Sequence, residues 1–269
     1  MKLPLICFSI AFLSLASSRA LAQATSADIV VSEDFESTPV GQIPQGFTKT
    51  GAIGVAEDAA HGGKHSLKIE PAEKGGRFIS LPADKVAALS GEHWGRFYYK
   101  VKMPAPLPAP QEGKPNPSIH TTLVAAKCTS PLANDPIEVR LAGLSINSKG
   151  TFSYLYNVQP KAPRKEFGPH SKTSNSFTDA WTLVEWHADH ATQTYQFFVN
   201  GQEVIDIGQH KGTGQFEGIE IPPAFQTYSV GWTNYQPATG EGFTVWIDDL
   251  ALGKKRLGPV AATGAATRR

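Results

Sequence analysis

Residues Trp181 to Ile205 read WTLVEWHADHATQTYQFFVNGQEVI and carry the clearest structural signal in the chain. Trp181, Leu183, Glu185 and His187 alternate with Thr182, Val184, Trp186 and Ala188. A period of two, rich in aromatic and β-branched residues, predicts a sheet strand. Asp189-His190-Ala191-Thr192 turns the chain, since an aspartate side chain can bond its own backbone two residues on. A second strand, Thr194 to Val199, runs into Asn200-Gly201, the pair that best tolerates positive φ at both central positions of a tight hairpin. Gln202 to Ile207 is expected to leave as a third strand, making an antiparallel meander.

The same alternation recurs on both sides of the meander. Strands are expected from Ile29 to Glu36, at Lys64–Ile69, Arg77–Leu81, Gly95–Met103, Ser118–Ala126, Ile137–Ile146, Thr151–Val158, Tyr228–Trp232 and Gly242–Leu252. Only Ala83–Leu89 reads as a short surface helix. Pro104 to Pro117 holds six prolines and reads as a stiff surface loop between strands. Residues 160–178, PKAPRKEFGPHSKTSNSFT, form a polar loop long enough to border a groove. The many short strands with no linker imply an all-β fold, two packed antiparallel sheets in a jelly-roll sandwich.

Composition bounds the function. A formal net charge of +1 over 269 residues gives no field to hold nucleic acid or a membrane surface. Residues 1–22 have the form of an export signal: Lys2, an apolar run to Ala16, and Ala20-Leu21-Ala22 as the cleavage site. Cys7 lies inside it, so a processed chain of about 245 residues keeps Cys128 alone and forms no internal disulfide. The expected product is periplasmic or secreted, with one jelly-roll domain over residues 27–255 and a flexible tail over 256–269. A monomer is expected.

The two ends of that domain carry a recognisable pattern. Asp34-Phe35-Glu36, the turn Ala60-His61-Gly62-Gly63-Lys64-His65-Ser66-Leu67 and the strand Trp246-Ile247-Asp248-Asp249-Leu250 together resemble concanavalin A-like jelly rolls of carbohydrate-binding modules and polysaccharide lyases. Over residues 29–255 the layout is most similar to the glucuronan lyases of lyase family 20 and related cellulose-induced fungal proteins. The resemblance implies a structural Ca²⁺ held by Glu36, the carbonyls of His61 and Lys64, and Asp249. Hard oxygen donors of that kind suit the ion. Parity alone does not decide whether Asp248 or Asp249 faces it. The resemblance further implies an extended polysaccharide along one sheet face and, where the protein is active, β-elimination at a uronic acid. The alternative is a non-catalytic carbohydrate-binding jelly roll.

Elimination needs a neutralised carboxylate, a base for the C5 proton and an acid for the glycosidic oxygen. Ser118-Ile119-His120 is similar to the Gln-Ile-His strand of jelly-roll alginate lyases, with Ser118 where they have glutamine. His120 opposes Ile119 and Thr121 in parity, and Arg140 opposes Val139 and Leu141. The expected set is His120 as base, Arg140 as carboxylate clamp and Tyr156 as proton donor, with Tyr154 beside it. Lys100, Trp186, His187, Trp232 and Tyr235 are the candidate sugar contacts, the aromatic rings offering flat faces to sugar C–H groups. The paired carboxylates of jelly-roll glucanases are missing, and no nucleotide-binding or serine-hydrolase motif is present.

Overall fold

Alternation governs the chain from end to end, and its strands close into two sheets. The computed structural model describes residues 28–210 and 220–260. The stretch read as an export signal, with Cys7, the distal part of the Gly208–Gly218 loop and the residues beyond 260 lie outside the described residues. The elements are β1 (Ile29–Glu33), β2 (Thr48–Thr50), β3 (Ile53–Ala56), β4 (Ser66–Ile69), β5 (Gly75–Ser80), α1 (Ala83–Ala88), β6 (Glu92–Val101) and β7 (Ile119–Thr129). They continue with β8 (Pro136–Ile146), β9 (Thr151–Gln159), β10 (Asn175–Ser176), β11 (Thr182–Asp189), β12 (Thr194–Val199), β13 (Gln202–Glu203), β14 (Phe225–Asn234) and β15 (Val245–Gly253). The first sheet runs β13-β12-β11-β6-β15-β4-β3, with β1 also paired to β15. The second runs β10-β9-β8-β7-β14-β5-β2, and all pairings are antiparallel. Among the described residues no helix is long and apolar enough to cross a membrane.

The meander forms as its pattern requires up to its last strand. Asn200 and Gly201 take φ of 49° and 81°, and the Asn200 side chain accepts the Leu183 N–H at 3.0 Å, locking the hairpin. The expected third strand is corrected: pairing stops at Glu203, and a 3-10 turn over Ile205–Ile207 follows. That turn sends Ile207 into the core and leaves Ile205 78% exposed. A straight strand would have put both isoleucines on one side.

The inner faces supply one apolar layer, from Phe97, Val184, Trp186 and Phe197 on the first sheet to Val124, Leu141, Tyr156 and Trp232 on the second. Burying each aromatic ring removes roughly 150–250 Å² from water, at about 25 cal/mol per Å². Trp186 lies flat on Gly95, where a Cβ would stand 2.1 Å from its ring, and donates to the Tyr228 hydroxyl at 2.6 Å. Trp186 and Trp232 therefore serve the core, which corrects their assignment as sugar contacts. Indole rings shed more water in the interior than any groove face would offer them.

The C-terminal segment departs from expectation as far as it is described. Arg256 reaches the buried Glu185 through two bonds of 3.1 and 2.9 Å, with its guanidinium 3.8 Å above the Phe198 ring. Arg96 holds the Gly258 carbonyl at 2.7 Å. Residues 256–260 are thus strapped across the outside of the first sheet rather than free, because Glu185 needs a cation partner when buried.

Candidate functional site

The outer face of the second sheet carries the densest polar cluster that the sequence singled out. Register puts His120 beside Ser145, and Ser145 beside Ser153, in one lateral row. Arg140 sits beside Asn157 on one side and Ala125 on the other, in a row further along. Between these rows lie Thr122, Gly143 and Leu155. The ladder slips at this level in all three pairings, β7–β8, β8–β9 and β7–β14. Bulges add twist and bend a strand. The slips lie side by side across neighbouring strands, with His120 on one side and Arg140 on the other; this bent outer face is the trough.

Arg140 is fixed from two directions. Its Nε donates to Glu138 at 2.7 Å, and its guanidinium lies 4.2 Å from the centre of the Tyr235 ring. The Tyr235 hydroxyl is 3.2 Å from Thr122 Oγ1, and its backbone N–H donates to the His120 carbonyl at 3.0 Å. The His120 N–H in turn donates to the Gln236 side chain at 2.7 Å. Burial holds the His120 pKa below the ordinary histidine value, with the neighbouring His170 adding to it. Burial raises the Tyr235 pKa, and Arg140 opposes the rise. A neutral imidazole and a protonated phenol are the forms that base and acid require.

Two members of this cluster escaped the sequence reading. Residues 160–178 are not simply a loop: Phe167, His170 and Ser171 bond or bridge to Val158, Leu155 and Tyr154, and Asn175 to Phe152. The segment is an irregular extra edge to β9, which adds pairing to the expected polar loop, and it borders a groove. Gly168 and Pro169 break the alternation that would have revealed it. It brings the His170 ring to 5.9 Å from that of His120 and Glu166 onto the amide of Asn157. Arg164 ties the same segment to Asp135 and Glu220, each at 2.6 Å.

The other expected residues scatter. Tyr156 is fully buried between the sheets, stacked on Tyr195 at 4.1 Å, and its pKa is pushed up by burial. Tyr154 also faces inward, bonds the Tyr99 hydroxyl at 3.1 Å, and is pushed up to about 12 by burial. Both are corrected from catalytic to core positions, since each points away from the trough. Tyrosine fits either face of a strand, so its parity carried no information. Lys100 and His187 lie on the first sheet, away from His120. Lys100 pairs with Asp179 at 2.8 Å, while His187 stacks on Trp94 at 4.2 Å and bonds Glu92 at 2.9 Å. Neither lines the trough. Tyr235 does.

At the chain ends, Glu36 and Asp249 converge on the Gly62-Gly63 turn. A Cβ on Gly63, whose φ is 63°, would stand 2.3 Å from the Glu36 carboxylate, and one on Gly62 would be 3.7 Å from Asp249 Oδ2. Glu36 accepts the N–H groups of Lys64 and His65 at 2.8 and 2.7 Å, which lower its pKa. Asp249 meets His61 Nδ1 at 2.7 Å. Asp248 is buried and consumed by backbone: it accepts from His61, Gly62 and Asp249 N–H groups, and burial lifts it to about 6. The slip in β15 after Asp248, with Asp249 at φ 51°, turns these neighbouring carboxylates to different tasks. Two hard carboxylates from distant segments on one glycine turn suit a Ca²⁺ completed by carbonyls and water. Among the described residues no group of three or more His, Cys, Asp or Glu side chains is arranged to hold a metal, so carboxylates alone would not complete the site.

No family model matches the chain, and no curated protein matches it in sequence. Among solved structures, the fold is similar to that of "Cellulose induced protein, Cip1", with a TM-score of 0.54 and 16% identity over 85% of this chain and 99% of that one. A looser likeness extends to domain 4 of AbnA, a GH43 extracellular arabinanase from Geobacillus stearothermophilus, in complex with arabinotriose: TM-score 0.42, 13% identity, 77% and 82% covered. The carbohydrate esterase vb_24B_21 from Shiga toxin-encoding bacteriophage phi24B gives 0.44, 16%, 78% and 91%. At such identities the likeness is one of architecture: the chain is an all-β, concanavalin A-like jelly-roll sandwich of two antiparallel sheets.

Proposed function

We propose that the protein is a secreted polysaccharide lyase that cleaves a uronic acid-containing polymer by β-elimination in the trough of the second sheet. The observation that carries this reading is the placement of His120, Arg140 and Tyr235 around the row of Thr122, Gly143 and Leu155. The free guanidinium N–H groups of Arg140 pair with the uronate carboxylate and acidify C5–H. His120 takes the C5 proton, the C5 electron pair forms the C4–C5 double bond, and the C4–O4 bond breaks. Tyr235 gives its proton to the departing O4, and solvent returns the proton from His120 to the phenolate. Each proton, electron pair and bond is accounted for without an oxidant or a water attack.

Glucuronan and alginate, incubated separately with the protein, test the reading through the ultraviolet absorbance of the new double bond. Growth of absorbance with at least one of them is expected, and flat traces with retained binding would sink it. Glu138 on Arg140 and Glu166 beside the histidines favour the second reading, a catalytically silent carbohydrate binder, because both oppose an anionic ligand.

A structural Ca²⁺ at Glu36 and Asp249, with the turn carbonyls of His61 and Lys64, belongs to the same proposal. The ion would screen the convergent carboxylates and tie the first and last strands together. Adding 1 mM CaCl₂ to chelator-treated protein should raise the melting midpoint by several degrees, on the order of RT ln(1 + [L]/Kd) in free energy. An unchanged midpoint would count against the ion.

A further inference from the structure

The sandwich is open along one edge, where β10 and its irregular extension face β12, β13 and the turn over Ile205–Ile207. Two contiguous concavities of about 840 and 490 Å³ share Glu203, Ile205 and Asp206. A third, about 200 Å³, continues the second through Tyr154, Asn175, Val199 and Asn200. His170 lines the outer end, so the cleft begins where the trough ends. One clasp crosses it: Asp206 accepts the Lys172 N–H at 3.0 Å and faces its ammonium at 3.6 Å.

We infer that this edge cleft is a second binding site, for a stretch of neutral, hydroxyl-rich glycan. Its floor is apolar, made by Tyr154, Val199 and the exposed Ile205, which suits the C–H faces of pyranose rings. Its walls present amides and carboxylates, Asn175, Asn200, Gln202, Glu203 and Asp206, the groups that exchange hydrogen bonds with hydroxyls in both directions. Several are already aimed by the protein: Asn200 by Leu183, Asn175 by Phe152 and Thr173, Glu203 by Gln196. Preset donors and acceptors lose less freedom on binding.

The charge of the cleft separates it from the trough. The trough carries Arg140 and two histidines beside Glu138 and Glu166, whereas the middle portion of the cleft is lined by Glu203 and Asp206, of which Asp206 is paired with Lys172 and Glu203 has no cation partner among the described residues. A uronate carboxylate placed beside Glu203 would be repelled. The two sites therefore select different residues of a polymer: an acidic one at the trough and neutral ones at the edge. The inference holds for a silent binder as well as for a lyase.

Cellohexaose and a glucuronan hexamer differ in charge at C6 while sharing a backbone, so they isolate the point. Titrated against ¹⁵N- and Ile-methyl-labelled protein, cellohexaose is expected to shift the side-chain amides of Asn200 and Gln202 and the methyl signals of Ile205. The glucuronan hexamer is expected to leave those signals in place. The double variant Q202A/I205A should weaken cellohexaose binding at least tenfold with an unchanged melting midpoint, since both side chains are exposed. The inference is overturned if cellohexaose, mannohexaose and xylohexaose all leave the cleft signals unmoved, or if the glucuronan hexamer shifts them as strongly. Absorbance assays of elimination read the trough alone, so failure of one proposal leaves the other distinguishable.

Discussion

His120→Ala is expected to lower the rate of elimination at least a hundredfold while leaving the melting midpoint within about two degrees. The magnitude follows from the contribution of a positioned base, about 10²- to 10⁴-fold. The half-buried ring of His120 makes an edge contact with His170 and no hydrogen bond among the described residues, so its removal costs the fold little. Arg140→Ala should cost a similar factor, about 10² to 10³, through lost stabilisation of the developing charge. Tyr235→Phe should fall with them, and Tyr156→Phe should stay within threefold of the parent, because Tyr156 is sealed in the core. Full activity in H120A, or a large loss in Y156F, would refute the assignment. The pH profile adds a check: with the histidine pKa lowered and the tyrosine pKa raised, activity should hold steady across neutral pH.

Acid is expected to destabilise the protein by about 3 kcal/mol between pH 7 and pH 4 through His93 alone. His93 is 1% exposed, with its Nε2 3.0 Å from the Tyr228 hydroxyl that also accepts the Trp186 N–H. The neutral imidazole shares this hydrogen bond with the phenol, which a proton on both ring nitrogens would leave to the histidine as donor alone. Burial, with smaller repulsion from His187 and Lys254, lowers its pKa to about 3. The unfolded imidazole binds a proton near pH 6.5, roughly, so the unfolded state gains as pH falls through that value. Stability from this group is complete above pH 6.5 and fades toward pH 3. Urea unfolding of the parent and H93Q at pH 7, 5 and 4 reads the effect. The gap between them should narrow by about 3 kcal/mol on acidification, and parallel losses would exclude His93 as the source.

Most strands were legible because alternation is local. Gly95–Met103 places large apolar residues at every second position from Phe97, and Ile137–Ile146 does so to Leu141 before shifting phase to Leu144 and Ile146, and no other backbone buries them all. The helix at Ala83 was legible from its contrast with those runs. The short strands β2 and β3 were not, since Thr48–Thr50 is wholly exposed and Gly54 interrupts the pattern of β3. Gly168 and Pro169 hid the edge that carries His170 in the same way.

For the candidate site, parity separated His120 and Arg140 from the core because their strand neighbours are apolar. It failed for Tyr154, Tyr156 and Trp232, whose rings suit either face, and for Lys100 and His187, which lie on the other sheet. The meander from Trp181 to Gly201 was determined by its own residues: alternation, an aspartate turn and Asn200-Gly201 are each short-range preferences, whereas the strand expected beyond it ended at Glu203. What faces what across the molecule was decided by closure of the sandwich. Strand pairing between residues more than a hundred positions apart, and bulges that fall in line only when strands are adjacent, set His120, Arg140, Tyr235 and His170 together. Such register is a property of the packed sheets, because each strand alone is indifferent to which neighbour satisfies its hydrogen bonds.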